Sequence, residues 1–517
     1  MNLLLHSPIL AIAIPLLCGL ATPLISKFGK NVRDLWVTLG LLFTEFLVLI
    51  LTYDVISNGI RIYTLGAKFP AEVVLTANFV PIRIILELDA FSVVMALTSV
   101  SISLIAFIYS LKFIKEGTAK IRYYTLFLLL VAAMVGLVFT GDLFSMFVFL
   151  ELLSISSAAL VAFYFHKGES LEAAFKYIVF SAVGALMVLL AIGLIYGQYG
   201  MLNIAALANV LKFSFSDKVA LVLLIVAFAM KCGIVPLHMW VSDAYGEAPA
   251  PISAVLVVAS QASLYVLFRI SFTLFGGLPT IGIVAWFIII LGILSMVIGV
   301  SMAIIQNDIK RLIAYNAVSQ VGYMLLGLGV GLAVIKNVTA LNSFGLVAME
   351  GGIFHIINDA IIMSLLFLTA GVIIYKTGTK KMDEMSGLAY EMPFTMVLFL
   401  IGALALAGLP PFNGFVSKLL IYESTFRFNP LLAIIAILVS ILTLASFVKI
   451  FYSAFTGPRL REYNKVRDTP KTMLVAMLIL ALLTLLFGLF PNMVIDNLIS
   501  PAAHALINQL KYVGGVL

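Results

Sequence analysis

Charge is what this chain has least of: Asp, Glu, Lys and Arg make up 11% of its 517 residues, against 63% apolar residues. Soluble domains carry about 25% charged residues, so a sizeable soluble domain is excluded. Runs of about 20 apolar residues recur from end to end, the length that crosses a bilayer as a helix. Cysteine is nearly absent as well. Cys18 and Cys232 lie far apart in apolar segments and form no CxxC pair, zinc pattern or iron–sulfur motif. No ligand set for haem, flavin or nickel appears, so no cofactor is expected in this chain. The net charge is +7, but the basic residues are scattered over loops rather than gathered on one face, which excludes nucleic acid as a partner. The first segment lacks a basic start and a small-residue cleavage pattern, and reads as a retained first span.

What the chain has in quantity is membrane-length apolar sequence. The windows predict an all-α integral membrane protein with about fourteen transmembrane helices: roughly 3–25, 35–56, 84–110, 121–140, 142–165, 173–197, 218–240, 248–272, 279–304, 311–334, 350–375, 394–423, 430–455 and 471–495. The stretch 57–83 is amphipathic, turn-rich and β-prone, and is expected outside the membrane as a small hairpin. With an outside N-terminus, the loops after odd-numbered spans hold nineteen of the 31 Lys and Arg and the opposite loops hold nine. That bias places both termini outside, in the plasma membrane of a prokaryote.

Three lysines, Lys231, Lys418 and Lys449, fall inside spans. A lysine at that depth is costly and needs a partner, water or a task. Lys231 is followed by Pro236, whose missing N–H breaks the helix and opens room for water or an ion. Glu151, near the middle of span 5, is its obvious counter-charge. The pair serves either as a static packing contact or as a proton store: a carboxylate that moves away or is neutralised lets the lysine release its proton. Arginine could not do this.

Other polar groups extend the set. His238 follows the break, Gln261 and Ser260 lie in span 8, and His355 and Asp359 share one helix face at i and i+4. That last pair offers a metal only two ligands with no third nearby, so a proton or sodium path is expected rather than a metal site. Lys418 follows Pro410-Pro411 in LAGLPPFNGFVSKLL and reads as the mirror of Lys231. Lys449 either snorkels or completes the path. Glu45, Glu87, Asp89 and Asp142 lie nearer span ends, where solvation accounts for them.

Two proline-interrupted spans, each with one buried lysine, suggest an inverted structural repeat. The division expected is 1–110 (three helices and an external loop), 121–272 (repeat 1, helices 4–8), 279–455 (repeat 2, helices 9–13) and 456–517 (last helix and tail).

Four stretches then resemble one known family: KCGIVPLHMWVSDAYGEAPAPISAVL (231–256), IKRLIAYNAVSQVGYMLLGLG (309–329), GGIFHIINDAIIMSLLFLTAGVIIYKTGTKKMDEMSGL (351–388) and AGLPPFNGFVSKLLI (407–421). In this order they are similar to antiporter-like subunits. That family includes the D and A subunits of Mrp sodium/proton antiporters and the L, M and N subunits of complex I. The related subunits of archaeal membrane-bound hydrogenases and sulfur reductases also belong to it. The resemblance implies fourteen helices with inverted five-helix repeats, broken helices 7 and 12, a hydrated midplane axis, and other membrane subunits as partners. Any redox cofactors would then belong to those partners. By position Glu151, Lys231 and Lys418 match the family's charged residues of helices 5, 7 and 12. The length fits a D-like or hydrogenase H-like subunit rather than a longer A- or L-type chain. Gln261 and Met363 stand where many members carry lysine, and Asp359 is an acid gained, which points to cation handling or to a path through water and His355.

The function expected is translocation of H+, Na+ or both within a multisubunit assembly in the lipid bilayer, without enzymatic chemistry in this chain. The alternatives are an independent transporter of a small solute and a structural or quinone-handling subunit. The solute reading calls for an arginine-lined pocket, and no span interior is expected to carry an arginine.

Overall fold

The computed structural model describes residues 3–65, 84–458 and 469–516. The chain opens with α1 (Leu3–Ile25), α2 (Lys30–Asn58), α3 (Ala90–Phe113), α4 (Thr118–Phe139), α5 (Leu143–Val161) and α6 (Gly168–Tyr199). A short α7 (Ile204–Val210) precedes α8 (Phe215–Cys232), α9 (Met239–Glu247), α10 (Ala250–Arg269), α11 (Ile281–Ile305) and α12 (Ile309–Ala333). After a three-residue α13 (Val338–Ala340) come α14 (Leu346–Thr377), α15 (Pro393–Ala407), α16 (Asn413–Phe428), α17 (Pro430–Ile450) and α18 (Lys471–Leu489). Three short helices follow: α19 (Pro491–Val494), α20 (Ser500–Ile507) and α21 (Gln509–Val516). Among the described residues, twelve helices are long and apolar enough to cross a membrane. Two further apolar stretches are each split in two, as α8–α9 and α15–α16.

Local chemistry sets the ends. Asp89 accepts from the Ser92 amide while the Ser92 hydroxyl accepts from the Asp89 amide, a reciprocal cap. α3 therefore starts at Ala90 and not at the expected 84, and β2 (Ile85–Leu88) pairs antiparallel with β1 (Arg61–Thr64), Arg61 opposite Leu88. The expected 57–83 hairpin thus takes its second strand from beyond 83, and its residues 66–83 lie outside the described residues. α18 stops at Leu489 instead of 495, two residues before Pro491, which cannot continue a helix from its predecessors.

Side-chain exposure separates a centre from a rim. α10 and α14 are buried all round and α12 nearly so, whereas α1, α6, α11, α17 and α18 expose rows of Leu, Ile, Val and Phe. Those rows are the surface a bilayer covers. α11 and α12 approach closely because glycines meet: a Cβ added at Gly322 would lie 2.4 Å from the Gly292 carbonyl oxygen.

The connections alternate between two faces of the bundle. The first face carries β1–β2, α7, α13 and α19–α21. There the Gly141 amide donates to Ile85 O and the Leu143 amide to Leu202 O, so three connections are knitted together. On the second face Lys380 joins Glu247 at 2.5 Å, Glu169 at 3.1 Å and Asp308 at 3.7 Å. Partial burial opposes the Lys380 charge, but these carboxylates hold its ammonium above the ordinary lysine range.

Candidate functional site

The two breaks have the same turn. Gly233 and Gly408 adopt left-handed conformations, which glycine reaches without a Cβ penalty. The next amides reach back five residues, Ile234 N to Ala229 O and Leu409 N to Leu404 O. Leu237 N then donates to Ile234 O and Phe412 N to Leu409 O, around cis peptide bonds before Pro236 and Pro411. Carbonyls freed at each break find side-chain donors. Trp240 Nε1 donates to Met230 O at 2.9 Å. At the second break Lys418 Nζ donates to Leu406 O at 2.6 Å and Ser440 Oγ to Ala407 O at 2.7 Å.

Lys231 sits one residue before the end of α8, buried. Its ammonium donates to Ser154 Oγ at 2.5 Å and Ser181 Oγ at 2.6 Å, and lies 4.0 Å from Glu151 Oε1. Glu151 is the outermost member of the set, with 32% of its side chain exposed. Lys418 differs from Lys231 in position: it follows its break rather than preceding it. It has no carboxylate within 4 Å among the described residues; Ser440 Oγ lies 3.3 Å away and the ring of Tyr323 4.5 Å away.

The centre of the bundle joins these two ends. Gln261 Nε2 donates to Asp359 Oδ2 at 3.0 Å, both side chains being fully buried. One turn along α14, His355 uses both ring nitrogens, Nδ1 with Ser417 Oγ at 3.0 Å and Nε2 with Gln320 Oε1 at 3.2 Å. Ser417 is the neighbour of Lys418. A small cavity lies between the Lys231 end and Asp359, lined by Cys232, Val241, Tyr245, Ser260, Gln261 and Asp359. Its room for a water centre, about 10 Å³, is at the lower limit for one molecule. Gln261 Oε1, Asp359 Oδ1 and Gln320 Nε2 are buried without a hydrogen-bond partner, the condition in which polar atoms take water.

The structure therefore brings Gln261 and Asp359 together directly, and sets both His355 and Lys418 against the Tyr323 ring, at 5.5 Å and 4.5 Å. His238 stands apart: half-buried in the first break, it lies 6.4 Å from the Tyr315 ring, and its Nδ1 has no partner. Lys449 also stands apart. Its ammonium caps the end of α11, on Ile304 O at 3.0 Å, Gln306 O at 2.8 Å and Asn307 Oδ1 at 3.1 Å. Pro236 is exposed on the break, and Pro410–Pro411 form the turn ahead of α16.

Sequence reasoning missed Ser154, Ser181, Gln320, Tyr323 and Ser417. One signal was available: Asn316, Gln320 and Tyr323 recur at i, i+4 and i+7, a polar stripe on α12. Two expectations are corrected. Arg269, one of the nine basic residues expected in the opposite loops, belongs to a helix instead. It ends α10, 2% exposed, and bonds Asp89 Oδ2 at 2.6 Å, so a span does contain an arginine, with its charge taken by an acid. Glu87, Asp89 and Asp142 are likewise buried rather than solvated, because β2, the α5 start and α21 close over that end of the bundle; Glu45 lies at the middle of α2 rather than near its end, and accepts from Ser101 Oγ at 2.6 Å.

Comparison with known proteins agrees with this architecture. Residues 140–443 match the family described as NADH:quinone oxidoreductase/Mrp antiporter, transmembrane. The chain is 32% identical over 470 residues to the D subunit of the Na(+)/H(+) antiporter of Bacillus subtilis strain 168, covering 90% of this chain and 92% of that one. It is 29% identical to the A subunit of the Na(+)/H(+) antiporter of Alkalihalophilus pseudofirmus, over 95% of its own length but only 62% of the longer relative's. A chain in the structure of the membrane-bound sulfane sulfur reductase, an archaeal respiratory membrane complex, superposes with a TM-score of 0.86 at 27% identity, covering 99% of each. This multi-pass membrane chain belongs to the NADH:quinone oxidoreductase/Mrp antiporter transmembrane family.

Proposed function

We propose that this chain is the ion-translocating subunit of a multisubunit membrane complex, and that protons move along Glu151, Lys231, Gln261, Asp359, His355 and Lys418. The observation that carries this reading is the row itself. Six ionisable or amide groups sit inside an otherwise apolar bundle, Lys231 4.0 Å from Glu151, Gln261 bonded to Asp359 and His355 bonded to Ser417, with unused polar atoms between them. Such groups are too costly in a bilayer to be kept as packing. At the Lys231 end two hydroxyls accept from the ammonium, and the Glu151 carboxylate stands 4.0 Å away as its counter-charge. Withdrawal or neutralisation of Glu151 lets the ammonium pass its proton to water in the neighbouring cavity. Sodium is the alternative cargo, suggested by the similarity to subunits named for Na(+)/H(+) antiporters.

Each broken pair is read as one crossing, which brings the twelve unbroken helices to the expected fourteen. α8–α9 runs from the first face to the second and α15–α16 from the second to the first, yet both contain the same turn. That supports an inverted repeat over 121–272 and 279–455. The second face, with its lysine-rich connections, is assigned to the cytoplasm. The chemistry that drives transport, where the complex performs any, is assigned to partner subunits.

The test is ion transport by the complete complex in liposomes. Glu151→Gln and Lys231→Ala are expected to abolish coupled transport while the chain still assembles. Normal transport in either variant overturns the row.

A further inference from the structure

A second buried charge cluster lies at the first-face end of the bundle, away from the row. Asp89 Oδ2 accepts from Arg269 Nη2 at 2.6 Å, and Arg269 also donates to the Tyr265 hydroxyl and, at 3.2 Å, to Thr273 Oγ1. The Tyr512 ring covers the guanidinium at 4.6 Å, and Gln509 anchors α21 there by donating to Thr273 O at 2.7 Å. Beside this pair Glu87 is 0% exposed, and the Tyr512 hydroxyl is the donor its carboxylate meets. The groups facing it are Arg269 and Tyr265 of α10, Asp89 and the Tyr512 hydroxyl of α21.

The charges do not balance. Two carboxylates share one guanidinium, and Asp89 holds its direct bond. A fully buried carboxylate with a single hydroxyl donor is costly when ionised and takes a proton instead. Burial accordingly pushes the Glu87 carboxyl well above the usual range. Two features connect the cluster to its surroundings. Asp89 lines a cavity of about 340 Å³ together with exposed Asn58, His504, Asn508 and Lys511, so the cluster meets the first face. On the inner side, Gln261, Tyr265 and Arg269 fall at i, i+4 and i+8 on one face of α10. Each step is about 6 Å along the axis, and the Gln261 end belongs to the row.

We propose that Glu87, with the Asp89–Arg269 pair, is a second proton-binding station, exchanging protons between the Asp89-lined cavity and the Gln261–Asp359 segment of the row. It rests on the proposed translocation function. The step balances as transfer of one proton from hydronium in the cavity to the Glu87 carboxylate, leaving water and a neutral acid. The acid later returns that proton to water on the side of Tyr265.

The test uses the complex with all its subunits, in liposomes. Glu87→Gln is expected to slow proton flux by about 100-fold, the scale of a lost proton-transfer group. Glu87→Asp, which keeps the carboxyl, should restore most of it. Infrared spectra at neutral pH should show a protonated-carboxyl band in the wild type that the Gln variant lacks. Unchanged flux in Glu87→Gln alongside lost flux in Lys231→Ala overturns the station and leaves the row. Unchanged flux in both overturns the row as well. Should the Gln variant fail to assemble, the infrared comparison of wild type with Glu87→Asp decides: no protonated-carboxyl band that shifts with this substitution overturns the proposal.

Discussion

A buried ammonium has three protons to place, and the two lysines of the row place them differently. Lys231 donates to two hydroxyls with a carboxylate 4.0 Å away; Lys418 uses a helix-end carbonyl, one hydroxyl and an aromatic face. Cation–π and carbonyl contacts stabilise a cation without supplying a counter-charge, so Lys418 depends on the more distant Asp359. Lys418→Ala is expected to lower transport by at least about tenfold, measured as ion flux in liposomes. Lys418→Arg should not restore it, because a guanidinium stays protonated and its flat fork does not fit an ammonium's place. Flux near wild type in the Ala variant would remove this step. At this scale the charged members were legible in the sequence, because a charge in an apolar run is conspicuous. Gln320, Ser417 and the serines around Lys231 were not, since hydroxyls and amides are common in membrane helices and usually bond their own backbone.

Among the elements, α11 and α12 pack glycine against glycine. Gly322→Ala would put a methyl group 2.4 Å from Gly292 O and 2.5 Å from Met296 Cγ. Overpacking of this kind costs about 1–3 kcal/mol, so a lower thermal midpoint is expected in detergent. Gly193→Ala on α6, where nothing lies within 4 Å of the added atom, is the matched control and should be neutral. Equal midpoints would remove the claim of close approach. Hydropathy located most helices because each is a long apolar run. It misplaced the start of α3, where Ile85–Leu88 is as apolar as the helix after it, yet pairs as a strand before the Asp89 cap. It also ran through Pro491. The breaks were legible from their prolines, but which half would hold each lysine was not.

For the whole molecule, Glu151 poses a problem that one chain does not solve. It lies mid-span on α5, a third exposed, among outward-facing Phe144, Val148 and Ile155. A carboxylate left against lipid at that depth costs several kcal/mol, on the order of 2.5–3.5 on insertion scales. A neighbouring protein of the complex is expected to cover it. A Glu151→Cys variant should react with a membrane-permeant thiol reagent in the isolated chain and be protected in the assembled complex; equal labelling in both would show that α5 faces lipid.

The placement of the row between the two helix breaks has an electrical consequence. In the proposed row, a charge that shifts from Lys231 toward Lys418 moves from one break to the other rather than from face to face, and on that reading it does no work against the transmembrane voltage. The electrical cost, about 2.3 kcal/mol per charge for each 100 mV, falls entirely on the steps that join the row to either face. Membrane potential should therefore gate the way in and the way out, and leave the lateral transfer between the two breaks insensitive to voltage.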